Sequence, residues 1–230
     1  MFKKLKIDKL TISLSKAVLL FAAFILLTVT TAFFSKSLTD VINIMPLYVS
    51  LIVVLLQTSA NRYAPLLGGI NSVFYAVIYV AFKLYSQAAY ALLFSFPLQL
   101  VTFYNWNKKP YGNSTIFKRL SMKSILGISM LFVIVYAAFC LFFSKIGSSY
   151  IMLDNFVTIM GILSSILMFA SYIEYAACTL MCGVVTLFLS ITMMIDFPER
   201  TPYLVFAVYN VICGIMTMVR VAKLHKEQHE

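Results

Sequence analysis

The stretch RYAPLLGGINSVFYAVIYVAFKLY, residues 62–85, can be laid on EYAACTLMCGVVTLFLSITMMIDF, residues 174–197, at an offset of 112. Few residues are identical, but the apolar blocks and the loop positions coincide. One insertion later, Tyr90 meets Tyr203 at an offset of 113. This weak internal repeat, whose period exceeds a single helix, indicates that two parts of the chain share one architecture.

The composition indicates an integral membrane protein. Of 230 residues 62% are hydrophobic and 11% are charged, and the mean hydropathy is +0.94, whereas soluble domains average about half apolar and about a quarter charged. A membrane-spanning helix needs roughly 20 mostly apolar residues. The sequence contains eight such stretches: 17–34, 40–57, 64–83, 86–106, 124–143, 153–171, 175–194 and 202–220. They leave no room for a soluble domain.

The basic residues predict the orientation, because lysine and arginine collect on the cytoplasmic side of a membrane. With the N-terminus inside, 14 of the 18 basic residues lie on that side. They are Lys3, Lys4, Lys6, Lys9, Lys16, Arg62, Lys108, Lys109, Lys118, Arg119, Lys123, Arg220, Lys223 and Lys226. An even number of spans with both termini in the cytoplasm is the simplest topology. The net charge of +10 is therefore a topological signal, and we expect no nucleic-acid partner.

The repeat relates spans two to four to spans six to eight, with span five between them. Two triplets of helices joined by a single crossing have the same orientation, which defines a parallel repeat. We therefore predict an all-α membrane protein with a 3+1+3 arrangement and an additional N-terminal helix. The predicted segments are 1–36 (N-terminus and first helix), 37–107 (first triplet), 108–150 (basic loop and connecting helix), 151–220 (second triplet) and 221–230 (cytoplasmic tail).

Polar side chains deep in the third span indicate one half of a candidate site. Asn71, Tyr75 and Tyr79 are four residues apart and so share one face of a helix. The neighbouring Gly68 and Gly69 allow another backbone to approach closely. This face is a candidate surface for ligand binding.

The fourth and eighth spans supply the rest of the candidate site. In the fourth span, Gln99, Phe103 and Trp106 recur at helical spacing. The eighth span contributes Tyr209 and Asn210. An amide beside an aromatic ring suits a flat heterocycle or a sugar-bearing ligand. The predicted binding residues are Asn71, Tyr75, Gln99, Phe103, Trp106, Tyr209 and Asn210.

Structural alternatives remain open for these residues. A glutamine or asparagine inside a membrane often only joins two helices, with a contribution of about 1 kcal/mol. Trp106 lies two residues before a lysine pair, as do tryptophans that anchor a helix at the membrane interface. Pro97 lacks an N–H group, so we expect a kink in the fourth span.

The ionisable residues and cysteines predict neither ion coupling nor a cofactor. Asp40, Asp154 and Glu174 lie at span ends, where we expect them to be solvated or to cap helices. Of the four cysteines, Cys178 and Cys182 share a helical face, but no histidine lies near them in sequence to complete a metal site. We expect no catalytic residue, metal or other cofactor.

Residues 61–109, NRYAPLLGGINSVFYAVIYVAFKLYSQAAYALLFSFPLQLVTFYNWNKK, resemble the first repeat of the PnuC family of bacterial vitamin-precursor transporters. The resemblance extends from about residue 40 to residue 220. It rests on Asn61, Gly68, Asn71, Tyr85, Gln99 and Trp106. The second half departs from the family pattern, since it contains no tryptophan, Gly183 aligns with Asn71, and Val219 aligns with Trp106.

The resemblance implies a SWEET-like fold in a bacterial inner membrane that carries nicotinamide riboside down its gradient. It also implies a homo-oligomer, and trapping of the substrate by a cytoplasmic kinase that does not bind the transporter stably. Relatives in the family carry thiamine, riboflavin or deoxynucleosides, so these substrates remain alternatives. A membrane-embedded vitamin-binding subunit of an ATP-driven importer is the alternative of another class. The absence of GxxxxGK[ST] and HExxH motifs and of paired carboxylates within a span argues against an enzyme.

Overall fold

The structure is a computed structural model that describes residues 14–108, 110–112 and 114–229. Five basic residues used in the topology prediction, Lys3, Lys4, Lys6, Lys9 and Lys109, lie outside the described residues.

The described chain is almost entirely helical. Its helices are α1 (Leu14–Phe34), α2 (Leu38–Gln57), α3 (Ala64–Ala81), α4 (Tyr85–Ala89), a π-helix (Tyr90–Ser95), α5 (Phe96–Lys108), α6 (Met122–Ile146), α7 (Ile151–Phe169), α8 (Glu174–Asp196), a 3₁₀ turn (Pro198–Arg200) and α9 (Thr201–His229). Two short strands, β1 (Pro110–Tyr111) and β2 (Ser114–Thr115), form an antiparallel hairpin between α5 and α6.

The eight predicted spans are all present as helices. Within the described residues, seven helices are each long and apolar enough to cross a membrane. The eighth span consists of α4, the π-helix and α5, which follow one another without a break from Tyr85 to Lys108. The prediction of an all-α membrane protein with about eight spans is therefore confirmed.

The helices pack as two triplets with the predicted parallel arrangement. In the first triplet α3 packs between α2 and the α4–α5 span, and in the second α8 packs between α7 and α9. The last span of each triplet contacts the first helix of the other, so α9 packs on α2 and the α4–α5 span packs on α7. The connecting helix α6 packs mainly against α7, and the additional helix α1 packs against α9 and α2.

Local signals in the sequence explain where several helices begin and end. Ser37 and Asp40 form a capping box at the start of α2, in which each side chain accepts the other residue's backbone N–H. The Ser121 hydroxyl caps α6 by accepting the backbone N–H of Ser124. Gly147 ends α6 with φ of 78°, a left-handed conformation that glycine adopts without strain.

Apolar side chains fill the space between the triplets near both ends of the spans. Near one end, the cluster around Trp106, Phe117 and Tyr175 joins α5, the loop after β2 and α8. Near the other end, Leu84, Leu189 and Met193 pack together. The polar residues of the candidate site lie between these two clusters along the helices.

Candidate functional site

The predicted polar face of α3 begins with Asn71, which is 3% exposed. Its amide Nδ2 donates to the backbone carbonyl of Pro46 at 3.1 Å and to Ser50 Oγ at 2.7 Å. Ser50 Oγ also shares a hydrogen bond of 2.8 Å with the Tyr75 hydroxyl. Asn71 Oδ1 is shielded from water and has no hydrogen-bond partner among the described residues. Asn71 therefore joins α3 to α2 and keeps one acceptor unused.

A proline, Pro46, lies inside α2 where this helix borders the face. Proline lacks an N–H, so the carbonyl of Ile42, one turn earlier, has no ladder partner. One residue further along the same turn, Asn43, accepts a hydrogen bond of 2.7 Å from the Tyr203 hydroxyl of α9. Side chains from other helices thus bond to backbone carbonyls around the proline, as a membrane interior requires.

The fourth span is interrupted at the position that Pro97 predicts, and the interruption is a π-helix. The N–H of Phe96 donates to Ala91, five residues back, so the turn before the proline is wider than an α-turn. The π-helix ends at Ser95, whose Oγ lies 2.8 Å from Ser72 Oγ of α3. The proline therefore brings a polar side chain of the fourth span against α3.

Gln99 joins this pair of serines. Its Nε2 donates to Ser95 Oγ at 2.6 Å and to Ser72 Oγ at 3.2 Å. Its Oε1 lies over Gly68, where a Cβ atom added to the glycine would come within 2.2 Å of it. Gln99 is half-buried, and Gly68 is the residue that leaves it room. The amide nitrogen of Gln99 thus links α5 to α3, as expected if the glutamine only joins two helices.

Phe103 and Trp106 lie further along α5, away from Asn71. Trp106 is 2% exposed, and its Nε1 donates to the backbone carbonyl of Met168 at 3.0 Å. Its ring meets Phe117 edge to face, with the centroids 5.8 Å apart. Phe103 is half-buried beside Tyr63, with the ring centroids 5.8 Å apart. Trp106 is thus a packed residue at a junction between the triplets, and a ligand contact for it stays a prediction.

The two candidates on α9 differ in their surroundings. Tyr209 is 3% exposed, and its hydroxyl donates to the carbonyl of Leu51 in α2 at 3.0 Å. Asn210 is half-buried, and its amide makes no hydrogen bond within the described part of the chain. It lies beside Gly183, where an added Cβ would be 3.5 Å from Asn210 Nδ2. Asn210 therefore retains both donors and an acceptor for a ligand.

Tyrosines from both triplets surround the middle of the site. The rings of Tyr75 and Tyr79 stack, with centroids 5.4 Å apart and an interplanar angle of 21°. Tyr79 lies near Tyr90, Tyr203 and Cys182. Three of these tyrosines, at positions 75, 79 and 90, are only half-buried although they face the interior between the triplets. They present ring faces to which a flat ligand can bind.

The pair formed by Tyr90 and Tyr203 was missing from the predicted site. The Tyr90 hydroxyl donates to the Gly161 carbonyl of α7 at 3.2 Å and lies 2.9 Å from Ser165 Oγ. Tyr203 makes the corresponding bond from α9 to Asn43 of α2. Each tyrosine therefore connects the last span of one triplet to the first helix of the other. The repeat alignment pairs Tyr90 with Tyr203, and this pairing is the sequence signal that could have identified them.

One end of the site is covered by loops from both triplets. The Arg200 guanidinium lies 4.1 Å from the ring centroid of Phe82 and 4.2 Å from that of Phe197. Beside it, the Tyr150 hydroxyl donates to the Asp196 carboxylate. Desolvation and this hydrogen bond raise the pKa of Tyr150 to about 12, so the phenol stays a neutral donor at neutral pH. These contacts hold the loop after α3 against the loops that flank α7 and α8.

Asp154 is the exception among the charged residues at span ends. We expected it to be solvated or to cap a helix, and it is 0% exposed. Its Oδ2 accepts a hydrogen bond of 2.9 Å from Ser148. Its Oδ1 is shielded from water, has no hydrogen-bond partner among the described residues and lies near the first turn of α4. A carboxylate is favourable at a helix N-terminus, so Asp154 stabilises α4 from α7 rather than facing water.

Comparisons with known proteins agree with this architecture. The family model described as nicotinamide mononucleotide transporter matches residues 40–223. A solved crystal structure, described as the vitamin B3 transporter PnuC, superposes with a TM-score of 0.79 at 21% sequence identity, over 94% of each chain. A search of curated protein sequences gave no significant match.

Proposed function

Since the chain belongs to the nicotinamide mononucleotide transporter family and is therefore a membrane transporter and not an enzyme, we propose that it carries nicotinamide riboside. The PnuC resemblance of residues 61–109 agrees with this membership. The substrate moves down its concentration gradient, and a cytoplasmic kinase that does not bind the transporter stably traps it by phosphorylation.

The distribution of charged residues supports a nucleoside rather than a nucleotide as the substrate. The interior stretches 41–61, 63–82, 84–107, 155–173, 175–195 and 201–219 contain no Asp, Glu, Lys or Arg. A phosphate group buried among these residues would have no cation to pair with, and burying an unpaired charge is costly. A ligand that lacks phosphate avoids this cost.

The aromatic surroundings favour a flat, weakly cationic ring over a neutral one. The nicotinamide ring of the riboside carries a delocalised positive charge, and tyrosine faces attract such cations. The stacked pair Tyr75 and Tyr79, together with Tyr90, supplies ring faces inside the protein. The amide of Asn210 and the unused Oδ1 of Asn71 supply hydrogen bonds for the carboxamide and the ribose hydroxyls.

The seven predicted binding residues differ in what ligand binding requires of them. Asn210 can bind without losing a protein contact, and Asn71 has a spare acceptor. Gln99 and Tyr209 would exchange existing hydrogen bonds for new ones. We assign Asn71, Gln99 and Asn210 to hydrogen bonding, and Tyr75, Phe103, Trp106 and Tyr209 to stacking and shape.

Transport follows from rocking of one triplet against the other around this site, as in other transporters built from repeats. The contacts that must change lie between the last span of one triplet and the first helix of the other. Tyr90 and Tyr203 make hydrogen bonds across these two interfaces. With no charged residue in the middle of the spans, no ion-coupling group acts near the substrate, and the cycle is facilitated diffusion.

We place the protein in a bacterial cytoplasmic membrane, with both termini in the cytoplasm and as a homo-oligomer. The basic residues Arg62, Lys118, Arg119 and Lys223 support this orientation because they lie at the same ends of their helices or in the connecting loops there. The opposite end carries Lys36, which pairs with Glu199 at 3.6 Å.

A thermal-stability panel on the purified protein tests the substrate. The panel contains nicotinamide riboside, nicotinamide mononucleotide, thiamine, riboflavin and a deoxynucleoside. A ligand at 100 times its dissociation constant stabilises the folded state by about 2.7 kcal/mol. We expect this stabilisation from the riboside and none from the mononucleotide. Stabilisation by the mononucleotide, or by one of the other vitamins alone, contradicts the proposal.

A further inference from the structure

A groove of about 320 Å³ lies away from the substrate site, where α6 and α8 begin and α9 nears its end. This size is at the lower end of ligand pockets, which measure about 300–1,000 Å³. Its lining includes Arg119, Met122, Ile125, Glu174, Ala177 and Met218. They have a polar end in the loops before α6 and α8 and an apolar end one turn into these helices.

The apolar end of the groove is open to the bilayer. Met122 is 81% exposed and Met218 is 40% exposed, and α6 packs mainly against α7, which does not line the groove. Ile125 and Ala177 continue the apolar lining into the membrane. A lipid acyl chain can therefore lie along α6 and α9 without displacing a protein contact.

The polar end contains one positive and one negative group that are not paired with each other. The ion pairs among the described residues include neither Arg119 nor Glu174. Glu174 Oε1 accepts the backbone N–H of Leu120 at 3.1 Å. Its Oε2 is shielded from water and has no hydrogen-bond partner within the described chain. A buried carboxylate oxygen without a donor is costly, so a ligand donor that meets this oxygen after a rotation of the Glu174 carboxylate toward the groove is stabilising.

The charged side chains around the groove indicate which lipid headgroup fits it. Arg119 is exposed and offers N–H groups to a phosphate. The unpartnered Oε2 of Glu174 needs a donor, and a primary ammonium supplies three N–H groups, whereas a trimethylammonium supplies none. A purely anionic headgroup would bring its charge next to the Glu174 carboxylate. The group that matches both ends is a phosphate linked to a primary amine.

We propose that this groove binds phosphatidylethanolamine, with its phosphate on Arg119, its ammonium on Glu174 and an acyl chain along Ile125 and Met218. The lipid then connects α6 to the second triplet, where the protein itself leaves a gap. The proposal depends on the membrane location of the chain and not on which substrate is carried.

Native mass spectrometry of the purified protein tests this by counting retained lipids. Phosphatidylethanolamine, phosphatidylcholine and phosphatidylglycerol with identical acyl chains are added separately. A charge-assisted hydrogen bond corresponds to about tenfold in affinity, so we expect about tenfold stronger retention of phosphatidylethanolamine than of phosphatidylcholine. Equal retention of these two lipids, as for lipids that merely surround the protein, or stronger retention of phosphatidylglycerol overturns the proposal.

Two variants separate the contributions of the headgroup. Glu174→Gln keeps the shape and the acceptor for Leu120, and we expect it to remove the preference for ethanolamine over choline. Arg119→Gln should weaken the retention of phosphatidylethanolamine and of phosphatidylcholine to a similar extent, because both lipids carry the phosphate. Glu227→Gln changes an exposed carboxylate of α9 outside the groove and should change nothing. A preference that survives Glu174→Gln refutes the assignment of the ammonium, and thermal unfolding of each variant shows that it is folded.

Discussion

Gly68→Ala should destabilise the first triplet by displacing Gln99. The new methyl carbon would lie 2.2 Å from Gln99 Oε1, 3.2 Å from its Cδ and 3.3 Å from Val53 Cγ1. Because Oε1 is the end of a flexible side chain, the amide can rotate away, but it then loses its bonds to Ser72 and Ser95. Such bonds contribute about 0.6 kcal/mol each in membrane proteins and up to about 1.5 kcal/mol elsewhere. The expected loss of unfolding free energy is therefore about 1 to 3 kcal/mol.

Thermal unfolding in detergent measures this loss, and the adjacent glycine is the matched control. A Cβ at Gly69 would meet its nearest atoms, Gln99 Cβ and the Phe96 carbonyl oxygen, at 3.4 Å, which is ordinary contact. Gly69→Ala should therefore unfold close to the wild-type temperature. Uptake assays on both variants then show whether the displaced amide also binds substrate.

A double mutant shows whether the clash with Gln99 is the cause. In a Gln99→Ala background the methyl group at position 68 no longer meets an amide, so Gly68→Ala should cost little there. Equal destabilisation by Gly68→Ala and Gly69→Ala would contradict a clash with Gln99. A loss of stability by Gly68→Ala that is unchanged when Gln99 is absent would contradict it as well.

Three other changes test separate parts of the structure. Asn210→Leu should abolish uptake with little change in melting temperature, since its amide has no protein partner; a large loss of stability would instead indicate a structural role. Asp154→Leu should lower the unfolding free energy by about 1 to 3 kcal/mol, because it removes the acceptor of the buried Ser148 hydroxyl and the negative charge near the N-terminus of α4. Asp40→Leu, whose carboxylate is exposed, should cost less in the same melts, and the reverse order would contradict the burial of Asp154. Cysteines at the exposed positions Tyr111 and His229 should react with an impermeant reagent only after cells are opened. Labelling in intact cells would contradict the cytoplasmic location of the loop between α5 and α6 or of the C-terminus, respectively.

The fold could be predicted because its signals are local or periodic. Apolar runs of span length predicted the helices, and the repeat of residues 62–85 at 174–197 predicted how they group. Pro97 predicted a break in the fourth span, since a missing N–H affects the ladder wherever the helix lies. It did not predict a π-helix, because that outcome depends on how Ser95 packs against α3.

The candidate site was less predictable because its contacts join residues that are distant in sequence. Trp106 could be interpreted as a ligand or as an interfacial anchor, yet its Nε1 bonds to the Met168 carbonyl, 62 residues away. Asp154 is buried because the first turn of α4 lies against it, and no neighbour in sequence indicates that. Tyr90 and Tyr203 were identifiable only as a pair in the repeat, since each alone resembles a packing tyrosine.

Exchange of labelled substrate by purified protein in liposomes measures facilitated diffusion of the riboside. With no ion gradient, labelled nicotinamide riboside inside the liposomes should exchange with unlabelled riboside outside, and external nicotinamide mononucleotide should not accelerate the exchange. An imposed proton or sodium gradient should not concentrate the riboside, because the middle of the spans contains no charged residue to couple an ion. Accumulation above the external concentration, or exchange driven by the mononucleotide, would contradict facilitated diffusion of a nucleoside.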